Sequence, residues 1–371
     1  MNRYLISILL VVFCSCKEQF DLELNTADKS LLVVEGVLNV NGPTTINLSR
    51  SVPVNQKQTA KPELKAKLSV ENNNGVVANL NETGNGSYSH PNLNLITGQE
   101  YRLRIRTTDN KEYLSEYIVA KQSPPIDSLS WSREFEGVMV YANSHDPTNN
   151  TRYYKWDFDE TWEIWSNFSA EFAWISGTTI VPADRYHSTC WKFGKSTTIN
   201  LGTTAQLTSD VVKQAPLILI PYGSEKLSVR YSMLLRQQSL TKEAFEYFQL
   251  MKKNTESIGS IFDPQPSELK GNIKCLTNPA EGVIGYLTAS SFSEKRFFVT
   301  AKETNWTFKQ DCITEKVKNN ADSLRNWLGP WLPYSAEYND AGTVILFYFL
   351  SKAPCVDCTA RGGTLTRPSY W

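Results

Sequence analysis

Cys355 and Cys358 stand three positions apart in the closing stretch "CVDCTARGGTLTRPSYW", and His187 and Cys190 repeat that spacing in "HSTC". Joined in space, the two pairs would make a Cys₃His set, the donor chemistry of a structural zinc site. A CxxC can also be a redox dithiol, but that use needs a helix beginning at the motif to lower a thiol pKa. Thr-Ala-Arg-Gly-Gly follows here, so no such helix is expected. The third use is a disulfide framework, and the compartment decides among the three.

Acids offer a second kind of chemistry. The stretch "YYKWDFDETWEIWS" carries Asp157, Asp159, Glu160 and Glu163. On a strand, Trp156, Phe158 and Glu160 share one face, and Asp157 and Asp159 share the other. Glycosidase carboxylates face each other across a cleft, about 5 to 9.5 Å apart, whereas neighbouring acids on the outer face of a strand are usually solvated. The same region supplies Trp156, Trp162, Trp165 and Trp174 as candidate ligand-binding aromatics, which glycan capture would need exposed on one concave surface. The three histidines, His90, His145 and His187, sit in turn-like or loop-like contexts. No GxSxG, HExxH, phosphate-binding loop or dinucleotide fingerprint is present. The sequence therefore names no catalytic residue, no metal and no cofactor.

The compartment is written at the other end. In "MNRYLISILLVVFCSCKEQF", Arg3 precedes an apolar run from Tyr4 to Phe13. That run is too short to span a bilayer, which takes about 20 residues as a helix, and it fits a signal-peptide core. Ser15-Cys16 behind it resembles the lipobox of bacterial lipoproteins; Cys14 fits less well because bulky Phe13 precedes it. Cleavage before Cys16 would leave a cysteine ready for acylation, and two or three acyl chains anchor a domain firmly. Setting aside Cys14 and Cys16, five of the seven cysteines remain: Cys190, Cys275, Cys312, Cys355 and Cys358. In an exported chain these read as disulfide cysteines rather than zinc ligands, with one left over. The preferred pairing ties Cys355 or Cys358 to Cys312, with Cys190 to Cys275 as the second bridge.

Length and composition set the scale. A chain of 371 residues suggests two domains, and 41% hydrophobic with 20% charged residues is an ordinary globular balance. Formal net charge is zero, which excludes nucleic acid as a partner. Period-two alternation dominates the first third. Leu64, Ala66, Leu68 and Val70 are expected inward, with an Asn-Asn-Asn-Gly turn behind them. Tyr101, Leu103 and Ile105 alternate with Arg102, Arg104 and Arg106, a row expected on a solvated face. Short strands without helical period read as an immunoglobulin-like sandwich. "KQSPPIDSL" is a linker, because adjacent prolines cannot continue a ladder. Further on, "SLTKEAFEYFQLMKKN" has a helix cap at Ser239 or Thr241 and lysines at its end, and "NADSLRNWLGPW" suggests a shorter helix. The expected organisation is a lipoprotein signal peptide over 1–15, a tether over 16–29 and an immunoglobulin-like β-sandwich over 30–121. A larger β-rich (α+β) domain over 126–371 follows, with one or two helices, the main one near 240–254.

Several segments together carry a resemblance: "LLVVEGVLN", "YYKWDFDETWEIWS", "CWKF", "FDPQPSELKGNIKC" with "GVIGYLTASS", and the closing "CVDCTARGGTLTRPSYW". They resemble a family of Bacteroidota outer-membrane lipoproteins catalogued as domain of unknown function 4249. The resemblance implies a lipoprotein of the outer membrane, facing the cell surface, and an accessory of a TonB-dependent transporter. It carries over no catalytic residue. The function expected is thus non-enzymatic ligand capture or complex assembly beside a barrel, held to the membrane by its lipid. The alternative is a surface hydrolase using Asp159 and Glu160, or a free-standing glycan- or peptide-binding lipoprotein.

Overall fold

The structure, a computed structural model, describes residues 30–52, 60–256 and 268–371. The signal segment 1–15, the tether 16–29 and the lipidation candidate Cys16 lie outside the described residues. The fold is mainly β, as the alternation predicts.

Nine strands form the first module: β1 (Leu32–Asn39), β2 (Thr44–Arg50), β3 (Lys61–Pro62), β4 (Lys67–Asn72), β5 (Gly75–Gly84), β6 (Ser87–His90), β7 (Glu100–Arg106), β8 (Glu112–Ser115) and β9 (Ile118–Val119). Alternation sets which face is buried. Leu68 and Val70 of β4 lie opposite Ile105 and Leu103 of β7, all four in the core. Leu64, just ahead of β4, is exposed instead. The arginine row also does more than meet water: Arg104 Nε and Arg102 Nη2 bind the two oxygens of Glu71, at 2.6 and 2.8 Å. β5 pairs with β4 at one end and β6 at the other, so the two layers of the sandwich run into each other. Buried Tyr88 stitches the gap, donating to the Glu63 carbonyl and accepting from the Ala66 amide.

The second module is built from β10 (Ile126–Glu134), β11 (Gly137–His145), β12 (Tyr153–Trp165), β13 (Ala170–Ser176), β14 (Thr179–Tyr186), β15 (Thr189–Lys195), β16 (Asn200–Thr203), β17 (Val211–Pro221) and β18 (Arg230–Ser239). Helix α1 (Lys242–Glu256) follows, capped by Thr241, whose hydroxyl accepts from the Ala244 amide. Ala244, Phe245 and Tyr247 are its buried residues, and Ala244 and Phe245 pack with Leu240 against Tyr153 and Leu201.

Then the chain returns. β19 (Ile273–Cys275) pairs with β8, while β20 (Val283–Ile284) and β21 (Thr288–Ser290) pair in parallel with β1. These strands nearly close the first sheet on itself, and glycine permits the approach: a Cβ on Gly285 (φ 130°) would strike the Val34 carbonyl. A stretch expected within the 126–371 unit thus completes the 30–121 unit. Period-two patterning marks a strand but not its partner.

β22 (Phe292–Thr300) then joins the five-stranded sheet ordered β15–β12–β18–β22, with β16 also paired to β12, whose inner face packs on the sheet β10–β11–β17 around Trp156, Phe158, Met233 and Val140. β23 (Thr314–Lys318), β24 (Trp331–Tyr338) and β25 (Ile345–Lys352) form a smaller sheet beside the β13–β14 hairpin. The two modules meet at a buried polar clasp in which Ser123 donates its amide to the Ser291 hydroxyl and its own hydroxyl to the Ser291 carbonyl. Gln237 uses its whole amide there, accepting from Trp156 and donating to the Pro124 carbonyl and Ser144.

The cysteines correct one expectation and meet another. Cys312 bridges Cys355, as preferred, but Cys190 bridges Cys358, and Cys275 is free and buried. Cys275 cannot reach Cys190 because β19 belongs to the first module's sheet, opposite Tyr113 of β8.

Candidate functional site

With both bridges formed, no thiol of the Cys₃His set is left to bind zinc, and His187 Nδ1 sits 2.9 Å from Asp357 instead. Among the described residues no group of three or more potential metal ligands assembles.

The candidate tryptophans do not share a surface. Trp156 is core, its indole bonded to Gln237. Trp162 is buried beneath the Lys226 ammonium, and Trp174 is half-buried with its indole on the Gly177 carbonyl. Trp165 alone of the four is widely exposed, at 57%.

The acids divide as strand geometry requires. Glu160 points inward, only 3% exposed, and holds Lys226 at 2.7 Å and the Tyr231 hydroxyl at 2.7 Å. Burial, and then the neighbouring Glu160 carboxylate, push the Tyr231 phenol well above its usual range. Asp157 and Asp159 lie on the opposite face, paired with Lys155 and with Arg236 (2.5 Å). Glu163 accepts from the indoles of Trp165 and Trp371. Asp159 and Glu160 therefore do not face one another across a cleft. Each is held by a cation, an arrangement suited to structure rather than to proton transfer.

What the sheet does assemble is a row structure on its outer face. Register places Lys195, Asp159, Leu234 and Arg296 in one line across β15, β12, β18 and β22. The next line on that face is Phe193, Thr161, Ser232 and Phe298, and the next is Trp191, Glu163, Arg230 and Thr300. Over these lines runs the closing segment. The Cys190–Cys358 bridge and paired hydrogen bonds between Trp191 and Thr364 fix its start. Tyr370 then shares a 2.7 Å hydrogen bond with Thr161, and Arg230 lies over both Phe298 and Trp371. The Arg296 guanidinium stacks 3.6 Å from the centre of the Tyr370 ring, and its Nη1 donates to Ser232 at 3.0 Å.

A cleft of about 400 Å³ opens beside this stack, walled by Phe193 (56% exposed) and Tyr370 (40%), with Asp159, Thr161, Gly194 and Lys195 below. Gly194 leaves room for Glu160 and Trp162: a Cβ there would come within 3.1 Å of the Glu160 carboxylate. Arg236 neutralises Asp159 and also pairs with Glu294, and Lys226 neutralises Glu160. Lys195 and Arg296 have no carboxylate partner among the described residues. The cleft presents two unneutralised cations beside accessible rings.

Sequence reasoning picked out Asp159 and Glu160 in this cleft and missed Phe193, Lys195, Arg296 and Tyr370. These four come from two further strands and the closing segment, and only register brings them together. The available signal was the alternation of β22, which puts Glu294, Arg296 and Phe298 on one face.

The family model described as "Domain of unknown function (DUF4249)" matches residues 17–296. The closing segment lies beyond that match. None of the curated proteins matches the chain in sequence. Solved structures with partial likeness include trypsin-activated alpha-2-macroglobulin from Escherichia coli, 12% identical over 58% of this chain and 15% of that one, with a TM-score of 0.20. A Salmonella alpha-2-macroglobulin mutant is 9% identical over 86% of this chain and 16% of that one, also at 0.20. The FN1–FN3 domains of chicken CNTN1 are 10% identical over 56% and 62%, at 0.18. The chain spans about a sixth of either macroglobulin, and likenesses this slight carry no argument about fold or function.

Proposed function

The chain belongs to the family described as a domain of unknown function (DUF4249), and from that premise we propose that it is a lipid-anchored, non-enzymatic outer-membrane protein that captures ligand for a TonB-dependent transporter. Cys16 would carry the lipid, and the tether 16–29 would hold the modules off the surface of the cell. The resemblance to Bacteroidota lipoproteins supports the location and the barrel as partner. The observation that carries the capture role is the outer face of the central sheet. There the cations Lys195 and Arg296 stay unneutralised beside exposed rings while Asp159 and Glu160 are locked in ion pairs. Such a face binds through fixed charge and contact area and needs no acid or base.

The hydrolase reading asks Asp159 and Glu160 to work as a pair, and their opposite orientations and cationic partners speak against it. The test is a pull-down of full-length tagged chain from gently solubilised outer membranes. A stoichiometric transporter barrel is expected. A chain recovered alone would overturn the transporter partnership and leave a free-standing binder.

A further inference from the structure

We propose that the cleft between Phe193 and Tyr370 takes a small monocarboxylate, with the acid group on Arg296 and a ring-sized apolar face of the ligand against Phe193. The inference deepens the capture role and rests on it for its biological meaning.

Arg296 is set up for this. Stacking on Tyr370 fixes the plane of its guanidinium, and Ser232 holds Nη1, while its remaining donors have no partner among the described residues. A planar fork held in advance matches a carboxylate in two parallel hydrogen bonds. Little side-chain entropy is then left to lose on binding.

The charge pattern selects the ligand's valence. Lys195 and Arg296 stand at opposite ends of one row, three strand spacings or about 14 Å apart, with Asp159 between them. A phosphate dianion wants its cations converging on one point, and here they are spread. A single carboxylate satisfies Arg296 alone, and Lys195 is left for a polar group at the ligand's far end. Phe193, 56% exposed, supplies the apolar wall.

The experiment is titration calorimetry on the full-length chain in detergent with D-glucuronate, hippurate, D-glucose and inorganic phosphate. At least one of the two carboxylates should bind, with glucose and phosphate about tenfold weaker or worse. Glucuronate alone would identify an acidic sugar as the source, and hippurate alone an aromatic acid. Arg296→Gln should weaken binding about tenfold or more, and Phe193→Ala about threefold or more. Lys195→Gln should weaken it less than Arg296→Gln. If Arg296→Gln fails to fold, Phe193→Ala decides, because that residue is largely exposed. No binding of either carboxylate up to about 10 mM would overturn the proposal. So would an undiminished affinity in Phe193→Ala or in folded Arg296→Gln. The assay contains no barrel, so a lone chain in the pull-down would retire the transporter and leave this site standing.

Discussion

Two of the charge-lined clefts among the described residues treat that charge in opposite ways. At one end of the first module a cleft of about 530 Å³ is lined by Arg50, Glu63, Asp109, Lys111 and Glu281. There Arg50 binds Glu63 at 2.5 Å and Lys111 binds Glu281 at 2.7 Å, so every cation has an anion. Tyr113 adds a 2.6 Å hydrogen bond to Glu281. The cleft on the central sheet is smaller, yet its Lys195 and Arg296 have no such partner among the described residues. Size alone would rank the first cleft higher. Closed ion pairs bind strands to one another, and charge left open is what the proposed ligand would meet. The first cleft joins β2, β8 and the segment at Glu281 that completes the sheet; the second is held ready by the closing segment.

The largest way to break the comparison is to release that segment. Replacing both Cys190 and Cys358 with alanine should cost about 2–5 kcal/mol of stability, read from urea unfolding. Carboxylate binding should fall with it, because Tyr370 no longer holds the Arg296 plane.

A crossed pair of substitutions sharpens it. Arg50→Met strands Glu63 and should cost about 1–2 kcal/mol of stability while leaving ligand affinity unchanged. Arg296→Gln should do the reverse, costing about 1 kcal/mol or less and removing binding. Unfolding midpoints beside calorimetry would show whether the two effects separate.

Acid should expose the same contrast more gently. Hydrogen bonds from Arg104, and then Arg102, hold Glu71 below its ordinary value despite its burial. Burial would raise Glu281, but hydrogen bonds from Lys111 and Tyr113 outweigh it and hold that carboxyl low as well. A carboxylate held low in the folded state contributes stability that is complete above about pH 4.3 and drains as pH falls through its folded value. Unfolding midpoints should therefore decline below about pH 4, and Glu281→Gln should flatten that decline.

The smallest effect concerns the free thiol. Cys275 is buried in the first module, and the other described cysteines are bridged. If Cys16 carries lipid and Cys14 has left with the signal peptide, a thiol reagent should find no site in the folded chain and one after unfolding.

Much of this was legible from alternation. Leu68, Val70, Leu103 and Ile105 fell inward as read, Glu160 parted from Asp159 as a strand requires, and the main helix stood where its cap and lysines put it. Alternation fixes faces because neighbouring side chains must point apart. It says nothing about which strand lies alongside, so the return of β19 to β21 was invisible, and with it the reason Cys275 stands apart from Cys190. The row from Lys195 to Arg296 was hidden for the same reason. Its members lie between residues 159 and 296 of the chain, and it exists only through the register of four strands.

The return of β19 to β21 has a consequence for how the chain is made. A polypeptide is made from its N-terminus, yet the first module cannot finish until Ser290 has been added. For all that interval the outward edges of β1 and β8 carry unpaired amides and carbonyls, which recruit any strand nearby. Parallel, long-range pairings such as β1 with β21 also form late. Synthesis of this protein therefore includes a waiting period, during which a holding chaperone would have most to protect, and a copy cut short before Ile273 would never leave it.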